Sequence, residues 1–190
     1  LGAIIVGIIA CAMRLSQSRT MSSIAGVYIE SIRSTPLLVQ LYFFYFGLPT
    51  IGIMIPEWVT GVIALILNSG AYYAEIIRSG IQAIHFGQVE AGIASGLGYV
   101  QRMRYIILPQ ALGMTIRPML GQAIVLVKDS SLLSLISIVE LTRAGQLLTS
   151  ERFMPAEGFL TTAAFYLVLY YMLKTFSNWS EKRLIFREAH

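Results

Sequence analysis

Polar side chains recur along one face of an apolar stretch in the middle of the chain. Asn68, Tyr72, Glu75 and Ser79 follow the spacing i, i+4, i+7 and i+11, which places them on one stripe of an α-helix. A charge at the centre of a membrane costs about 2.5–3.5 kcal/mol on insertion scales, so polar groups retained there are a functional hypothesis. The alternative for Asn68 and Tyr72 is an interhelical hydrogen bond, and for Glu75 it is a local ion pair with Arg78.

A second polar cluster interrupts a later apolar stretch and consists of Lys128, Asp129, Ser130 and Ser131. Neighbours on an α-helix point about 100° apart, so Lys128 and Asp129 do not face each other. Either each has its own partner or the backbone is irregular there, which is tolerated at this depth only within protein or beside a water-filled cavity. The sequence favours a cluster that borders a water-filled cavity. The alternative is a structural ion pair with Glu75 or Glu140.

Composition places these polar groups in a membrane protein. The chain has 190 residues, of which 56% are hydrophobic and 13% charged, whereas soluble domains carry about 25% charged residues. Residues 1–190 are therefore expected to form a single transmembrane domain. The only cysteine, Cys11, cannot form an internal disulfide, and the two histidines, His85 and His190, are too few for a metal site.

Three functional classes are disfavoured by what the sequence carries. The net charge of +4 comes from basic residues beside apolar segments, so membrane topology explains it better than nucleic-acid binding. A G-x-x-x-x-G-K-[ST] phosphate loop does not occur, so this chain is not itself an ATPase. An intramembrane enzyme built on Glu75, Asp129 and Lys128 would lack a nucleophile–base pair, a metal motif and paired catalytic carboxylates. We therefore predict no catalytic residue, no metal and no cofactor.

Five apolar segments predict an all-α, polytopic membrane protein. Residues 1–13 are shorter than the about 20 residues of a full span and are interpreted as the second half of a helix whose start is missing. The other predicted spans are residues 24–48, 58–81, 110–141 and 158–177. Pro36 is expected to kink the second span, in which Glu30 and Arg33 can pair. Residues 142–157 are expected to form an outer loop.

Basic residues in the connecting segments predict the orientation. One side of the membrane holds Arg14, Arg19, Arg102, Arg104, Lys182, Arg183 and Arg187. The other side holds only Arg143 and Arg152. Because Lys and Arg are enriched in cytoplasmic loops, the segment around residue 100 and the C-terminus are predicted inside and the N-terminus outside.

Residues 90–109 are the least membrane-like part of the chain between apolar segments. A helical face is formed by Val89, Ile93 and Leu97, which lie four residues apart. Gly96 and Gly98 break this helix, a second short apolar face follows, and Leu108-Pro109 is expected to close the segment, because Pro suits a helix start. The pattern predicts two short amphipathic helices that meet at a glycine corner on the membrane surface.

This stretch resembles the loop signature of ATP-binding-cassette (ABC) importer permeases. The matching positions are Glu90, Ala91, Gly96, Ile106, Leu108 and Pro109 at the signature spacing, and Gly92 replaces the usual second Ala. Residues 33–40, 68–72, 74–75, 81–84, 87–88, 109–111 and 128–132 also resemble the polar amino-acid subfamily, the histidine/glutamate/glutamine/arginine type, in which Thr is more usual at Ser130. The resemblance covers nearly the whole chain from about Gly7.

The resemblance implies the core of a five-span type I ABC importer permease that carries an amino acid. Residues 82–109, here called the coupling segment, would dock on a separate ATPase subunit. Its candidate coupling residues are Glu90, Ala91, Gly92, Gly96, Leu97, Arg102 and Pro109. The candidate substrate-path residues are Asn68, Tyr72, Glu75, Lys128, Asp129, Ser130 and Ser131. We hypothesise that Lys128 with Asn68 holds the substrate carboxylate, and Asp129 or Glu75 its amino group.

The same resemblance implies the partners and the location. We expect two ATPase subunits, a second permease copy or paralogue, an extracytoplasmic amino-acid-binding protein, membrane lipid and no nucleic acid. The location would be the inner membrane of a bacterial cell. The alternative function is a passive channel or transporter subunit for small polar solutes; it predicts transport without ATP and leaves the coupling segment unexplained.

Overall fold

The computed structural model of the protein describes the backbone of residues 1–188 and the side chains of residues 1–180. Every regular element in this range is helical, which confirms the all-α prediction. The helices are α1 (Gly2–Arg14), α2 (Arg19–Arg33), α3 (Leu37–Thr50), α4 (Glu57–Gln82), α5 (Phe86–Ala94), α6 (Tyr99–Ile136), α7 (Leu141–Arg152) and α8 (Pro155–Glu188). Of these, α4, α6 and α8 are long and apolar enough to cross a membrane, while α1 and α3 are shorter apolar helices. The count of five spans stays a prediction.

The predicted span over residues 24–48 is two helices, because the chain breaks at Pro36 instead of kinking. Pro36 has extended backbone (ψ 138°) and lacks an N–H, so the carbonyls before it lose their helical partners. The buried Gln40 side chain replaces those partners: its Nε2 donates to the carbonyls of Ile32 at 2.7 Å and Thr35 at 3.0 Å. The break is therefore stabilised from within the protein.

Two Leu-Pro pairs each follow a π-helical turn. Phe43–Gly47 precedes Pro49, and Met103–Ile107 precedes Pro109. A proline in a helix lacks an N–H and clashes with the carbonyl four residues back, and a π turn widens the helix at that place. As predicted, an α-helical stretch begins here, at Leu108, with Pro109 in its first turn. The predicted break is absent, because α6 runs continuously from Tyr99 to Ile136 through Pro109.

Small residues let α4 approach its neighbours closely. A Cβ on Gly7 of α1 would lie 2.6 Å from the Cβ of Tyr73 and 3.1 Å from the carbonyl oxygen of Gly70. A Cβ on Gly80 would lie 2.2 Å from Cγ2 of Thr115 in α6. Close backbone approach at small residues is how helices associate in lipid, where no hydrophobic effect drives them together. α4 is thus the central helix of the described bundle.

The predicted outer loop over residues 142–157 is largely the helix α7. Glu140 caps its start, because its carboxylate accepts hydrogen bonds from the backbone N–H of Thr142 at 2.8 Å and Arg143 at 2.7 Å. The same carboxylate accepts from the Tyr166 hydroxyl at 3.0 Å, which ties α7 to α8. The last helix is also longer than the predicted residues 158–177. The side chains of the basic tail, Lys182, Arg183 and Arg187, lie outside the described part of the chain.

We expect Gly80→Ala to destabilise the protein, because its Cβ collides with Thr115 and lies 3.2 Å from the Ala111 carbonyl oxygen. Overpacking of this kind costs about 1–3 kcal/mol, and each kcal/mol lowers the Tm of a chain of this size by about 2–4 °C. The measurement is the temperature at which buried Cys11, 2% exposed, becomes reactive to a maleimide dye.

Gly121→Ala is the matched control, because no atom lies within 4 Å of a Cβ built on Gly121. Thr115→Ser, which removes the colliding methyl group and keeps the hydroxyl bond to the Ala111 carbonyl, should partly restore the Gly80→Ala protein. Equal unfolding temperatures for Gly80→Ala and Gly121→Ala would show that the α4–α6 contact does not limit stability.

Candidate functional site

The coupling segment has the predicted glycine corner. The imidazole Nδ1 of His85 accepts a hydrogen bond from the N–H of Gly87 at 3.1 Å and caps α5 at its start. At its end Gly96 adopts φ +75°, a left-handed conformation that favours glycine. The N–H of Leu97 donates to the carbonyl of Gly92 at 3.0 Å and that of Gly96 to Ile93 at 2.9 Å, the two bonds of a Schellman motif. The glycine corner is confirmed, but the helix after it is the long α6 and not the short second helix that was predicted.

Gly92 and Arg102 hold α5 against the start of α6. Gly92 is buried, and a Cβ there would lie 2.7 Å from Cδ1 of Ile106 and 3.1 Å from Cδ of Arg102. The Arg102 guanidinium donates to the carbonyl of Leu97 at 2.7 Å. Gln101 also contacts the corner, because its Oε1 accepts from the N–H of Gly98 at 2.9 Å. The departure from Ala at position 92 thus permits a closer contact between the two helices.

The outer face of the coupling segment is open. Glu90 is exposed in the middle of α5, and within the described side chains it has no ion pair or hydrogen bond. Two exposed apolar side chains, Phe86 and Ile93, lie four residues before and three residues after Glu90 on α5, which places them on the same side of the helix. Exposed apolar surface beside a charged group is typical of a protein-binding site. Ala91 and Gly96 share this exposure, while Pro109 lies further along, in the first turns of the α-helical part of α6.

Asn68 takes part in an interhelical hydrogen bond. Its side chain is 4% exposed, and its Nδ2 donates to Oε1 of Gln40 at 3.0 Å. Gln40 is the residue that completes the break before α3, so this bond fixes α4 against that break. Asn68 therefore forms an interhelical hydrogen bond, which was the alternative to a substrate-path role.

Tyr72, Glu75 and Ser79 line a cleft of about 460 Å³ between α4 and α6, here called the polar cleft. Arg33 also lines it, with its guanidinium carbon 5.4 Å from the centre of the Tyr72 ring. Glu75 is bound by Arg78, whose Nε lies 2.9 Å from Oε2. Glu75 therefore forms the local ion pair that was the alternative from the sequence.

Sequence reasoning missed Arg33, because the i, i+3 spacing suggested a pair with Glu30. In the structure Glu30 pairs instead with Arg14 of α1, with 3.9 Å between Glu30 Oε1 and Arg14 Nη2. The signal for this was the position of Arg33, three residues before Pro36. Because the helix breaks at Pro36, the end of α2 does not continue the helical face of the following segment.

The cluster at residues 128–131 lies where α6 changes from α-helical to 3-10 geometry at Ser130. Lys128 is exposed and Asp129 is half-buried. The alternative of an ion pair between this cluster and Glu75 or Glu140 is wrong, because no such pair occurs among the described side chains. Glu75 pairs with Arg78, and Glu140 accepts from Tyr166 at 3.0 Å.

The structure does not bring all the predicted substrate-path residues into one pocket. Gly80 packs on Thr115 and Gly61 on Leu133, so α4 and α6 run antiparallel and Lys128 lies near the level of residue 67. At 1.5 Å per residue, that level is about 12 Å along the helix from Glu75. The polar cleft and the cluster at 128–131 are thus two separate polar regions along one helix pair.

Comparison with known proteins assigns the family. Residues 3–186 match the model of the family described as binding-protein-dependent transport system inner membrane component. The chain is 37% identical over 183 residues to the probable glutamine ABC transporter permease protein GlnM of Bacillus subtilis (strain 168), covering 96% of this chain and 85% of that protein. It is also 37% identical over 185 residues to the glutamine transport system permease protein GlnP of Escherichia coli (strain K12), covering 96% and 84%.

Solved structures of ABC transporters also match this chain. A crystal structure of an amino acid ABC transporter with histidines matches at a TM-score of 0.92 and 37% identity, covering 96% of this chain and 85% of that chain. An inward-facing structure of the MetNI methionine ABC transporter matches at a TM-score of 0.76 and 19% identity, which shows the shared fold alone. The chain therefore belongs to the family of binding-protein-dependent transport system inner membrane components, and it is a permease subunit that works with a separate ATPase subunit.

Proposed function

We propose that this chain forms part of the translocation path for a polar amino acid in an ATP-driven importer, and that its coupling segment receives the movement of the ATPase. Two relatives at 37% identity are named as glutamine permeases, and a structural neighbour at the same identity is an amino acid transporter. These names support an amino acid as the substrate class.

One observation carries the coupling role: the coupling segment is open on its outer face and tied to α6 on its inner face. Glu90 is exposed and unpaired among the described side chains, whereas Gly92 and Arg102 pack α5 onto α6. A force applied at Glu90 would pass through this contact into α6, which carries the residues at 128–131. Rocking of such helices can open a central path to each side in turn.

The substrate would meet the cluster at residues 128–131. A zwitterionic amino acid needs a cation for its carboxylate and an anion for its amino group. Lys128 and Asp129 supply both and have no ion pair among the described side chains. Glu75 is already neutralised by Arg78, and the amide of Asn68 is bound to Gln40. We therefore assign the carboxylate to Lys128 and the amino group to Asp129, with the polar cleft as a second polar region on the path.

The remaining parts of the proposal concern the assembly. Two ATPase subunits, a second permease copy or paralogue and an extracytoplasmic binding protein would complete the importer. The chain would lie in the bacterial inner membrane with five spans, its C-terminus and coupling segment in the cytoplasm. The distribution of basic residues supports this orientation.

Glu90→Ala should lower ATP-dependent amino-acid uptake at least about tenfold, because hot-spot residues at interfaces contribute about 2 kcal/mol or more. The measurement is uptake of radiolabelled amino acid by proteoliposomes that contain the full-length protein, its ATPase subunits and the binding protein. Gln88→Ala is the matched control, since Gln88 is also exposed on α5.

Loss of uptake in Glu90→Ala with normal uptake in Gln88→Ala supports the coupling role. Uptake that is insensitive to both ATP and Glu90 would contradict it and favour a passive channel.

Lys128→Gln should remove the discrimination between an amino acid and its methyl ester, because the ester lacks the carboxylate that Lys128 would bind. The measurement is competition by the ester against radiolabelled substrate, at a binding-protein concentration that does not limit uptake. Lys174→Gln is the control; Lys174 lies on α8 beside the Tyr170 ring, 5.6 Å from its centre. If Lys128→Gln discriminates against the ester as the unmodified protein does, Lys128 does not bind the carboxylate.

A further inference from the structure

A groove of about 600 Å³ lies between the second half of α1, the last turns of α4 and the start of α6. Its walls are apolar and are formed by Ile8, Ile77, Ile81, Met103 and Leu108. Its volume falls in the range of about 300–1,000 Å³ that is usual for small-molecule sites. Neither the transport proposal nor the coupling proposal makes use of this groove.

The groove is polar at one end only. Along α1 its lining runs from Ile8 to Ser16 and Gln17, which follow the end of the helix. At 1.5 Å per residue, the helical part of this distance, from Ile8 to the end of α1, is about 9 Å. An apolar channel with a polar end fits an amphiphile that lies along α1.

The charge near the polar end is positive. Among the described side chains no acidic residue lines the groove. Arg19 lies two residues beyond Gln17, is exposed, and has no ion pair or hydrogen bond with a described side chain. Arg14 is engaged elsewhere, because its Nη1 donates to the carbonyl and the hydroxyl of Ser22 at 3.2 Å. Arg19 is therefore an exposed cation, two residues along the chain from this end, that no other described side chain engages.

We propose that the groove binds an acyl chain of an anionic phospholipid whose headgroup contacts Arg19. Basic residues beside membrane segments attract the anionic lipids of the cytoplasmic leaflet, and the positive-inside assignment places Arg19 on that side. The acyl chain lies against Ile77 and Met103, and the headgroup lies beside Ser16 and Gln17. The lipid thereby contacts the start of α6, next to the corner that holds the coupling segment.

The test is quenching of a single tryptophan by lipids with brominated acyl chains. Tyr99 lines the groove and is exposed, so Tyr99→Trp is made in the full-length protein with every other tryptophan replaced by Phe. The protein is reconstituted in bilayers that contain brominated phosphatidylglycerol or brominated phosphatidylcholine at the same mole fraction. A second single-tryptophan version keeps only Trp58, at the other end of α4, as the control reporter.

We expect phosphatidylglycerol to quench the Tyr99→Trp reporter with an apparent constant about fivefold larger than phosphatidylcholine, the preference that one basic residue near an anionic surface supports. Arg19→Gln, an exposed change on the first turn of α2, should abolish this preference while the unfolding temperature stays the same. The Trp58 reporter should show no headgroup preference.

Three results would overturn the proposal. Equal quenching of the Tyr99→Trp reporter by both lipids would show that the groove has no anionic preference. A preference that persists in Arg19→Gln would remove the headgroup contact. Absence of quenching by either lipid would show that protein, and not lipid, covers the groove in the full-length chain.

Discussion

Polar groups embedded in lipid must find their partners within the protein, and the Gln40 side chain meets this requirement at the centre of the bundle. Pro36 separates α2 from α3 and leaves carbonyls without helical partners. The Gln40 amide donates to two of these carbonyls, and its oxygen accepts from Asn68 at 3.0 Å. One side chain therefore stabilises the break and fixes α4 beside it. With α4 fixed, Gly7 of α1 packs against Gly70 and Tyr73, and Thr115 of α6 packs against Gly80.

The continuity of α6 connects the coupling segment to the membrane part. The π turn Met103–Ile107 accommodates Pro109, so the helix that begins at the glycine corner is the helix that ends at Ile136. Gly92 lets α5 pack directly on this helix, and the bond from Arg102 to the Leu97 carbonyl fixes the angle between them. The corner and α6 are thus packed together, with the exposed Glu90 carboxylate before the corner and Lys128 and Asp129 near the other end of α6.

The sequence predicted the features that depend on local rules. Gly96 at the corner follows from the need for a left-handed residue, and the Glu75–Arg78 pair, which the sequence offered only as the alternative for Glu75, follows from i, i+3 spacing. Features that depend on tertiary contact could not be predicted in this way. Arg33 stacks on Tyr72 and not beside Glu30, because the break at Pro36 reorients the end of α2. The helix α7 was missed because its sequence is polar. The Glu140 cap and the close contacts at Gly145 and Gly158 hold it on α8, and neither follows from local sequence rules.

The central claim is that the coupling segment and α6 move as one rigid body when ATP binds. The most direct measurement is the distance between spin labels on the assembled transporter, determined by pulsed electron resonance. One pair, at Gln88 and Gln110, lies within the proposed body, and a second pair, at Gln88 and Gln17, joins it to the end of α1. Our account predicts that ATP leaves the first distance unchanged and shifts the second. A change in the first distance would show that the corner bends and would contradict the account.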